Sequence, residues 1–363
     1  TAFANGEPSP HVITGRATDN QRIAMVFSGQ GTQRHGMGQQ LYHTYPAYAD
    51  AFDAACAAID PHLPHPLHDI VFGTNNTDPN LINQTQYAQP ALFALHTALY
   101  RLWETWGIHP TTLTGHSIGE ISAAHIAGIL TLNDAATLIT TRARLMQNLP
   151  TGGTMTAINT TENDIQPLLQ NHHNVAIAAI NNPTSLVISG DHHTIHTITE
   201  HAKQNGHRTT PLNVSHAFHS PLMEPMLDEF RTTLEQLTYH PPTTPLISTL
   251  TGQPITPTTM ATPDYWIQHA RNTVRFADAI TTLTHQNHTT YLEIGPNTAL
   301  TPHLPPNTHP TLHHKHPETH TITTTLAHLT TQGTNPNWTT YYQHTHPHTT
   351  PLPTYPFQHH PYW

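Results

Sequence analysis

Thr111-Thr112-Leu113-Thr114-Gly115-His116-Ser117-Ile118-Gly119 is the stretch on which the fold turns. After Pro110 it reads as a short strand, residues 111–114, running into a turn of small residues. A helix follows whose apolar positions Ile118, Ile121, Ala124 and Ile129 lie towards one face. A strand that enters a helix through so tight a turn projects the Ser hydroxyl at the helix N-terminus, where unpaired backbone N–H groups can bind a developing oxyanion. Upstream, Ile23-Ala24-Met25-Val26-Phe27 is short, continuously apolar and closed by Ser28-Gly29, which predicts a strand buried on both faces of a parallel sheet. Helical patterns over 45–59, 90–106, 118–129 and 133–148 alternate with these strands, so the fold class is α/β.

From residue 153 the pattern changes. Residues 153–158 read as strand, 162–169 as helix, 175–180 and 185–189 as strands, 192–204 as helix and 209–214 as strand. The order β-α-β-β-α-β is that of a ferredoxin-like unit. A helix over 221–237 and a core strand at Tyr291-Leu292-Glu293-Ile294-Gly295 then resume the first lobe, so the small unit is an insertion. The expected organisation is a linker at 1–20, a large lobe from 21–152 and 215–345, a small lobe at 153–214 and a second linker at 346–363. That last segment is Pro-rich with Tyr355, Phe357, Tyr362 and Trp363 interleaved, a pattern suited to lying extended across a surface.

A chain of 363 residues exceeds the usual size of one core, in keeping with two lobes. Only 9% of residues are charged, against roughly 25% in an ordinary globular protein, so His, Thr, Asn, Gln and Pro must cover much of the surface. The formal charge of -10 counts all 35 His as neutral. At an ordinary pKa, roughly a quarter would be protonated at pH 7, which brings the working charge close to zero. The 12 Lys and Arg are scattered without a basic stripe, which argues against nucleic-acid binding. The single Cys, Cys56, excludes a disulfide framework and a Cys-based zinc site. No apolar run is long enough to span a bilayer and no secretory signal opens the chain, so a soluble cytoplasmic protein is expected, with no membrane partner.

Ser117 is the candidate nucleophile, the alternative being a buried Ser that packs a crossover. Glu120, in the first helical turn, reads as a partner of the helix dipole. A nucleophilic Ser needs a base, and His216-Ala217-Phe218-His219, followed by the helix-starting Ser220-Pro221, sits where the chain returns to the large lobe. On helix 133–148, Arg142 falls among Leu138, Leu145 and Met146 in the middle of the apolar sector, whereas Arg144 points the opposite way. A core-facing Arg needs an anionic partner, either an internal carboxylate or that of a ligand. Gly29-Gln30-Gly31-Thr32-Gln33 lacks the Lys or third Gly of a nucleotide cradle, but its turn could lend a backbone N–H to the same oxyanion.

At these residues the sequence resembles the acyltransferase domains of modular type I polyketide synthases, a family related to malonyl-CoA:acyl carrier protein transacylases. Gly29-Gln30-Gly31, Gly115-His116-Ser117-Ile118-Gly119-Glu120, Arg142-Ala143-Arg144-Leu145-Met146-Gln147, His216-Ala217-Phe218-His219-Ser220 and Glu293-Ile294-Gly295-Pro296 fall in the family's order, and Leu352-Pro353-Thr354-Tyr355-Pro356-Phe357-Gln358 is similar to the linker that follows such domains. The resemblance implies an α/β-hydrolase-like large lobe with an inserted ferredoxin-like lobe. It further implies Ser117 as nucleophile, His219 as general base, an oxyanion hole from the N–H groups of Gln30 and Ile118, and Arg142 as holder of the substrate's free carboxylate. His219 would be oriented by a backbone carbonyl, at the position matching His269. His216-Ala217-Phe218 would set specificity for malonyl over methylmalonyl units, Phe218 filling the space of an α-methyl group. Malonyl-CoA would be the substrate, with no permanently bound cofactor and no metal. The partners would be an acyl carrier protein, which brings its own phosphopantetheine, and the ketosynthase and other domains of the same synthase.

Two other readings compete. A hydrolase built on the same pair would have no special need for Arg142. A His-rich metal binder would draw on His192 and His196, on His313-His314-Lys315-His316 and on residues 344–348, although no acidic ligands cluster nearby and the remaining His read as surface filler.

Overall fold

A computed structural model describes residues 12–18, 21–214, 216–345 and 351. Most of the two predicted linkers therefore lies outside the described residues. Five consecutive buried residues form β1 (Ile23–Phe27), the centre of a parallel sheet in the order β2-β1-β7-β8. The other strands are β2 (Thr112–Gly115), β7 (Thr290–Ile294) and β8 (Thr308–Pro310). Phe27 stands opposite both Gly115 and Ile294, so these strands end level with one another, the place where ligands meet open α/β sheets.

Between β1 and β2 run α1 (Gln39–Thr44), α2 (Pro46–Ile59), α3 (Leu67–Phe72) and α4 (Thr85–Thr105). Helix α4 is buried along most of its length and begins five residues before the predicted start at Pro90. Pro is favoured at a helix start, yet here it sits inside the helix, where its missing N–H forfeits one intrahelical bond. After β2 come α5 (Ile118–Ile126) and α6 (Leu132–Gln147).

The inserted unit contains β3 (Gly153–Ile158), α7 (Glu162–Leu169), β4 (Val175–Asn182), β5 (Ser185–Asp191), α8 (His192–Gln204) and β6 (Thr209–Pro211). Its antiparallel sheet has the order β4-β5-β3-β6. Side-chain alternation along β5 gives this sheet two apolar faces. Leu186 and Ile188 join Ile165, Ile195 and Ile198 in a core beneath the helices. Val187, between them, joins Met155, Ala178 and Ala179 on the face turned towards the large lobe. Strand β6 ends at Pro211 rather than at the predicted residue 214, with one further bond to β3 from Leu212 N–H to Met155 O at 2.9 Å.

The predicted helix over 221–237 is instead a 3-10 turn, Pro221–Met226, followed by α9 (Leu227–Leu234), with Pro225 at the change of helix type. Helices α10 (Pro263–Arg271) and α11 (Phe276–His285) lead into β7, and α12 (Glu318–Thr331) and α13 (Trp338–Tyr342) follow β8. Immediately after α10, Val274 N–H donates to Ala178 O and Ile180 N–H to Val274 O, both at 2.9 Å. The large lobe thus hydrogen-bonds to edge strand β4 of the small one. No helix among the described residues is long and apolar enough to cross a membrane.

Candidate active site

The turn from β2 to α5 is built around close backbone contacts. A Cβ on Gly115 would lie 2.1 Å from the carbonyl carbon of Gly119, and one on Gly119 would lie 2.3 Å from Phe27 O. Only glycines allow α5 to start so near the strand ends. Ser117 between them adopts φ 51° and ψ -116°. Among the described residues, the non-glycine positions with positive φ are three Asn and His219, types that enter this region more readily than most, and Ser117, which ordinarily avoids it. Backbone strain thus falls on Ser117, and Ser117 touches His219: its Oγ lies 2.7 Å from His219 Nε2.

His219 Nδ1 donates to the carbonyl of Asn272 at 3.0 Å. Nε2 is then the bare nitrogen that accepts from the Ser hydroxyl. This corrects the expectation that His269 supplies the orienting carbonyl. The acceptor is the residue that caps α10, three positions on, while the backbone of His269 makes a lesser contribution and its ring lies edge-on to His219 at 6.3 Å. Burial, reinforced by the nearby Arg142 charge, pulls the His219 pKa down to about 3, so the ring is neutral at pH 7 and able to take a proton.

Arg142 is 1% exposed on the cleft-facing side of α6, and no carboxylate pairs with it among the described residues. Nη1 donates to Gln89 Oε1 at 2.6 Å and Nη2 to Ser117 Oγ at 3.4 Å, while Nε has no partner. Burial pulls its pKa down to about 9, which leaves it charged at neutral pH. Arg144 is instead exposed and paired with Glu229 at 2.9 Å. Gln89 carried no signal in the sequence, since it reads as one more polar residue before Pro90. It holds Arg142 with its carbonyl oxygen and Gln30 Oε1 with its amide at 3.2 Å, joining the guanidinium to the loop after β1.

Ser117, His219, Arg142, Gln89, Gln30, Ile118 and Phe218 line one cavity of about 100 Å³, whose apolar wall is Met155, Ala178, Ala179, Val187, Leu212 and Val214 of the small lobe and its exit. The backbone N–H groups of Gln30 and Ile118 donate to no protein acceptor among the described residues. Of the three expected specificity residues, Phe218 alone reaches this cavity. His216 is buried, with Nε2 donating to Leu149 O at 3.1 Å, and Ala217 is pressed against Gly153, where an added Cβ would meet its N at 2.7 Å. Those two residues therefore fix the loop's path rather than its chemistry.

Glu120 does more than face a helix dipole. It is fully buried, accepts from Thr249 N at 2.6 Å and is hydrogen-bonded by the hydroxyls of Thr249 and Tyr265. Burial pushes its pKa up to about 7, against the opposing pull of these bonds. Because Tyr265 lies on α10, Glu120 ties the helix behind Ser117 to the helix that orients His219.

Not all the other His are surface filler. His96 and His288 are buried as well as His216, His219 and His269. His192 and His196 stack at 6.5 Å, but no group of three or more metal-capable side chains is present among the described residues. His96 and His219 have pKa values near 3 and His269 lies well below the ordinary value, in each case chiefly through burial. Folded-state values below the unfolded value of about 6.5 mean that the unfolded chain takes up more protons beneath that pH. Stability is then flat with respect to these groups above pH 6.5 and falls on acidification by up to about 1.4 kcal/mol per pH unit for each His. Thermal unfolding should accordingly move to lower temperature between pH 6.5 and 5, and a midpoint constant over that interval would refute the assignment.

The acyl transferase domain family model matches residues 24–343. The spectinabilin polyketide synthase system protein NorB of Streptomyces orinoci is 40% identical over 98% of the chain, and the mycoketide-CoA synthase of Mycobacterium tuberculosis 40% identical over 97%. This chain belongs to the acyl transferase domain family. The acyl transferase domain spans 17% and 8% of those two relatives. Among solved structures, the acyltransferase domain from the second module of the salinomycin polyketide synthase has TM-score 0.90 and 40% identity, with 98% of this chain and 84% of that one covered. FabD from Acinetobacter baumannii has TM-score 0.75 and 28% identity, covering 84% and 98% respectively. The two-lobed acyl transferase architecture described above is shared with these domains.

Proposed function

We propose that the domain loads a malonyl unit from malonyl-CoA onto Ser117 and passes it to the phosphopantetheine thiol of an acyl carrier protein. The observation that carries this reading is Arg142: a buried, charged guanidinium without a carboxylate partner, within reach of a Ser-His pair. A substrate with a free carboxylate completes it. A simple hydrolase would have no use for that charge.

In the first half-reaction, Ser117 Oγ attacks the thioester carbonyl carbon while His219 Nε2 takes its proton. The oxyanion is met by the N–H groups of Gln30 and Ile118. Collapse breaks the C–S bond, and the imidazolium returns its proton to the departing CoA sulfur. In the second half, the carrier thiol gives its proton to the same nitrogen as its sulfur attacks the ester, and Ser117 Oγ leaves with that proton restored. Asn272 O steadies Nδ1–H throughout, because the carbonyl favours the imidazolium without itself titrating. No permanently bound cofactor or metal enters these steps. The carrier and a ketosynthase would belong to the same synthase, and the cytoplasm would be the setting.

Incubation with malonyl-CoA and measurement of intact mass test the proposal. One malonyl adduct per chain is expected, and an unmodified chain would refute it.

Phe218 sets the choice of extender in this reading by closing the cavity beside Val187 and Met155. A methyl group is worth about 1–3 kcal/mol in such a pocket. Phe218→Ser should therefore raise the methylmalonyl-to-malonyl ratio of kcat/KM about 10-fold in a competition assay. An unchanged ratio would remove Phe218 from specificity.

A further inference from the structure

Behind the cavity, His96 of α4 is fully buried and hydrogen-bonded at both ring nitrogens. Nε2 meets Ser28 Oγ at 3.1 Å and Nδ1 meets Ser122 Oγ at 3.0 Å. Ser28 directly follows β1 and precedes Gly29-Gln30; its N–H donates to Ile294 O at 3.0 Å. Its hydroxyl is caged, since a Cβ on Gly295 would lie 2.3 Å from it. Ser122 stands on α5, one turn along from Ile118. The two hydroxyls therefore belong to the two backbone segments that carry the N–H groups of Gln30 and Ile118.

We propose that His96 is a positioning residue that sets the spacing of the oxyanion hole by cross-linking the loop after β1 to helix α5. The inference rests on the Ser117 mechanism proposed above, but not on the identity of the acyl group. A neutral imidazole offers one donor and one acceptor, and a Ser hydroxyl can answer either, so both ring nitrogens are satisfied by the two hydroxyls. Burial keeps the ring neutral. Packing alone does not call for this arrangement: Leu92, Leu95 and Leu99 of α4 are also fully buried, and replacing a buried polar set by apolar groups of similar shape can be nearly neutral in stability. What an apolar residue would lose is the fixed distance between the two N–H donors. An oxyanion hole acts by being set in place before charge develops, so a loosened hole slows the chemical step and leaves ground-state binding unaffected.

The test uses the full chain and a fluorophosphonate, which labels a nucleophilic Ser through an oxyanion in the same hole and contains neither thioester nor free carboxylate. Deleting an oxyanion donor outright costs on the order of 10²–10³ in rate, so a displaced one should cost about 10-fold. His96→Leu is expected to slow Ser117 labelling by about that factor per folded molecule, while the malonyl-CoA Kd, measured in a Ser117→Ala background, changes less than about 2-fold. His96→Gln, which keeps a donor and an acceptor, should recover part of the rate. Ser122→Ala should slow labelling in the same way and without additivity to His96→Leu, since both break one bridge. Labelling within about 2-fold of the parent, or fully additive losses, would overturn the proposal. Should His96→Leu fail to fold, His96→Gln and Ser122→Ala carry the same comparison. A parent that is labelled by the probe but takes no malonyl would refute the malonyl reading and leave this test intact.

Discussion

Ser117→Ala is expected to take no malonyl adduct and to lose transfer by a factor on the order of 10⁴–10⁶, the scale seen when the nucleophile of a Ser-His machine is removed. The effect is large because every later step passes through the Ser117 ester. The protein should survive the change. Ser117 holds a positive φ that Ala tolerates no better and no worse, and its hydroxyl bonds are to the cavity residues His219 and Arg142 rather than to the core. The diagnostic combination is a thermal midpoint close to that of the parent together with an unmodified mass after incubation with malonyl-CoA. An adduct that persisted in Ser117→Ala would place the nucleophile elsewhere and remove the basis of the proposed mechanism.

Arg142→Ala should have the second largest effect, and one that depends on the acyl group. Truncating one partner of a buried, hydrogen-bonded charge pair costs about 2–5 kcal/mol, so kcat/KM for malonyl-CoA should fall by about 30-fold or more. A neutral acyl-CoA such as acetyl-CoA makes no such pair and should lose little or gain. The substitution also withdraws the charge that helps hold the His219 pKa down, so any change with neutral substrates reports on the base. The measurement is the malonyl-to-acetyl ratio of kcat/KM. Equal losses for both substrates would mean that Arg142 braces the site through Gln89 rather than binding a carboxylate.

The fold was legible wherever a local pattern decided it. The apolar run of β1, the glycine-flanked Ser117 and the β-α-β-β-α-β order of the insertion are signals contained within a few residues, and the strands and helices stand close to where those signals put them. Arg142 was legible because a charge in an apolar sector is an anomaly visible in one helix. Asn272 was not, because it acts through a backbone carbonyl that carries no side-chain signature. Gln89 and His96 were hidden for a related reason: each is a polar residue on a helix whose burial on nearly all sides depends on contacts far away in the chain. The burial of Glu120 likewise depends on Thr249 and Tyr265, more than 120 residues distant. In a chain with 35 His, composition could not distinguish the exposed from the buried.

The hydrogen bonds between residue 274 and strand β4 have a mechanical meaning. Asn272, whose carbonyl steers the His219 ring, lies two residues before Val274, which is pinned to the small lobe on both sides of its peptide. Thr273, between them, is pinned as well, its hydroxyl donating to Ile177 O at 2.6 Å. There is no slack in which a hinge could sit. A rocking of the small lobe that narrowed or widened the cavity would therefore carry the Asn272 carbonyl with it, coupling the width of the cavity to the orientation of the His219 ring.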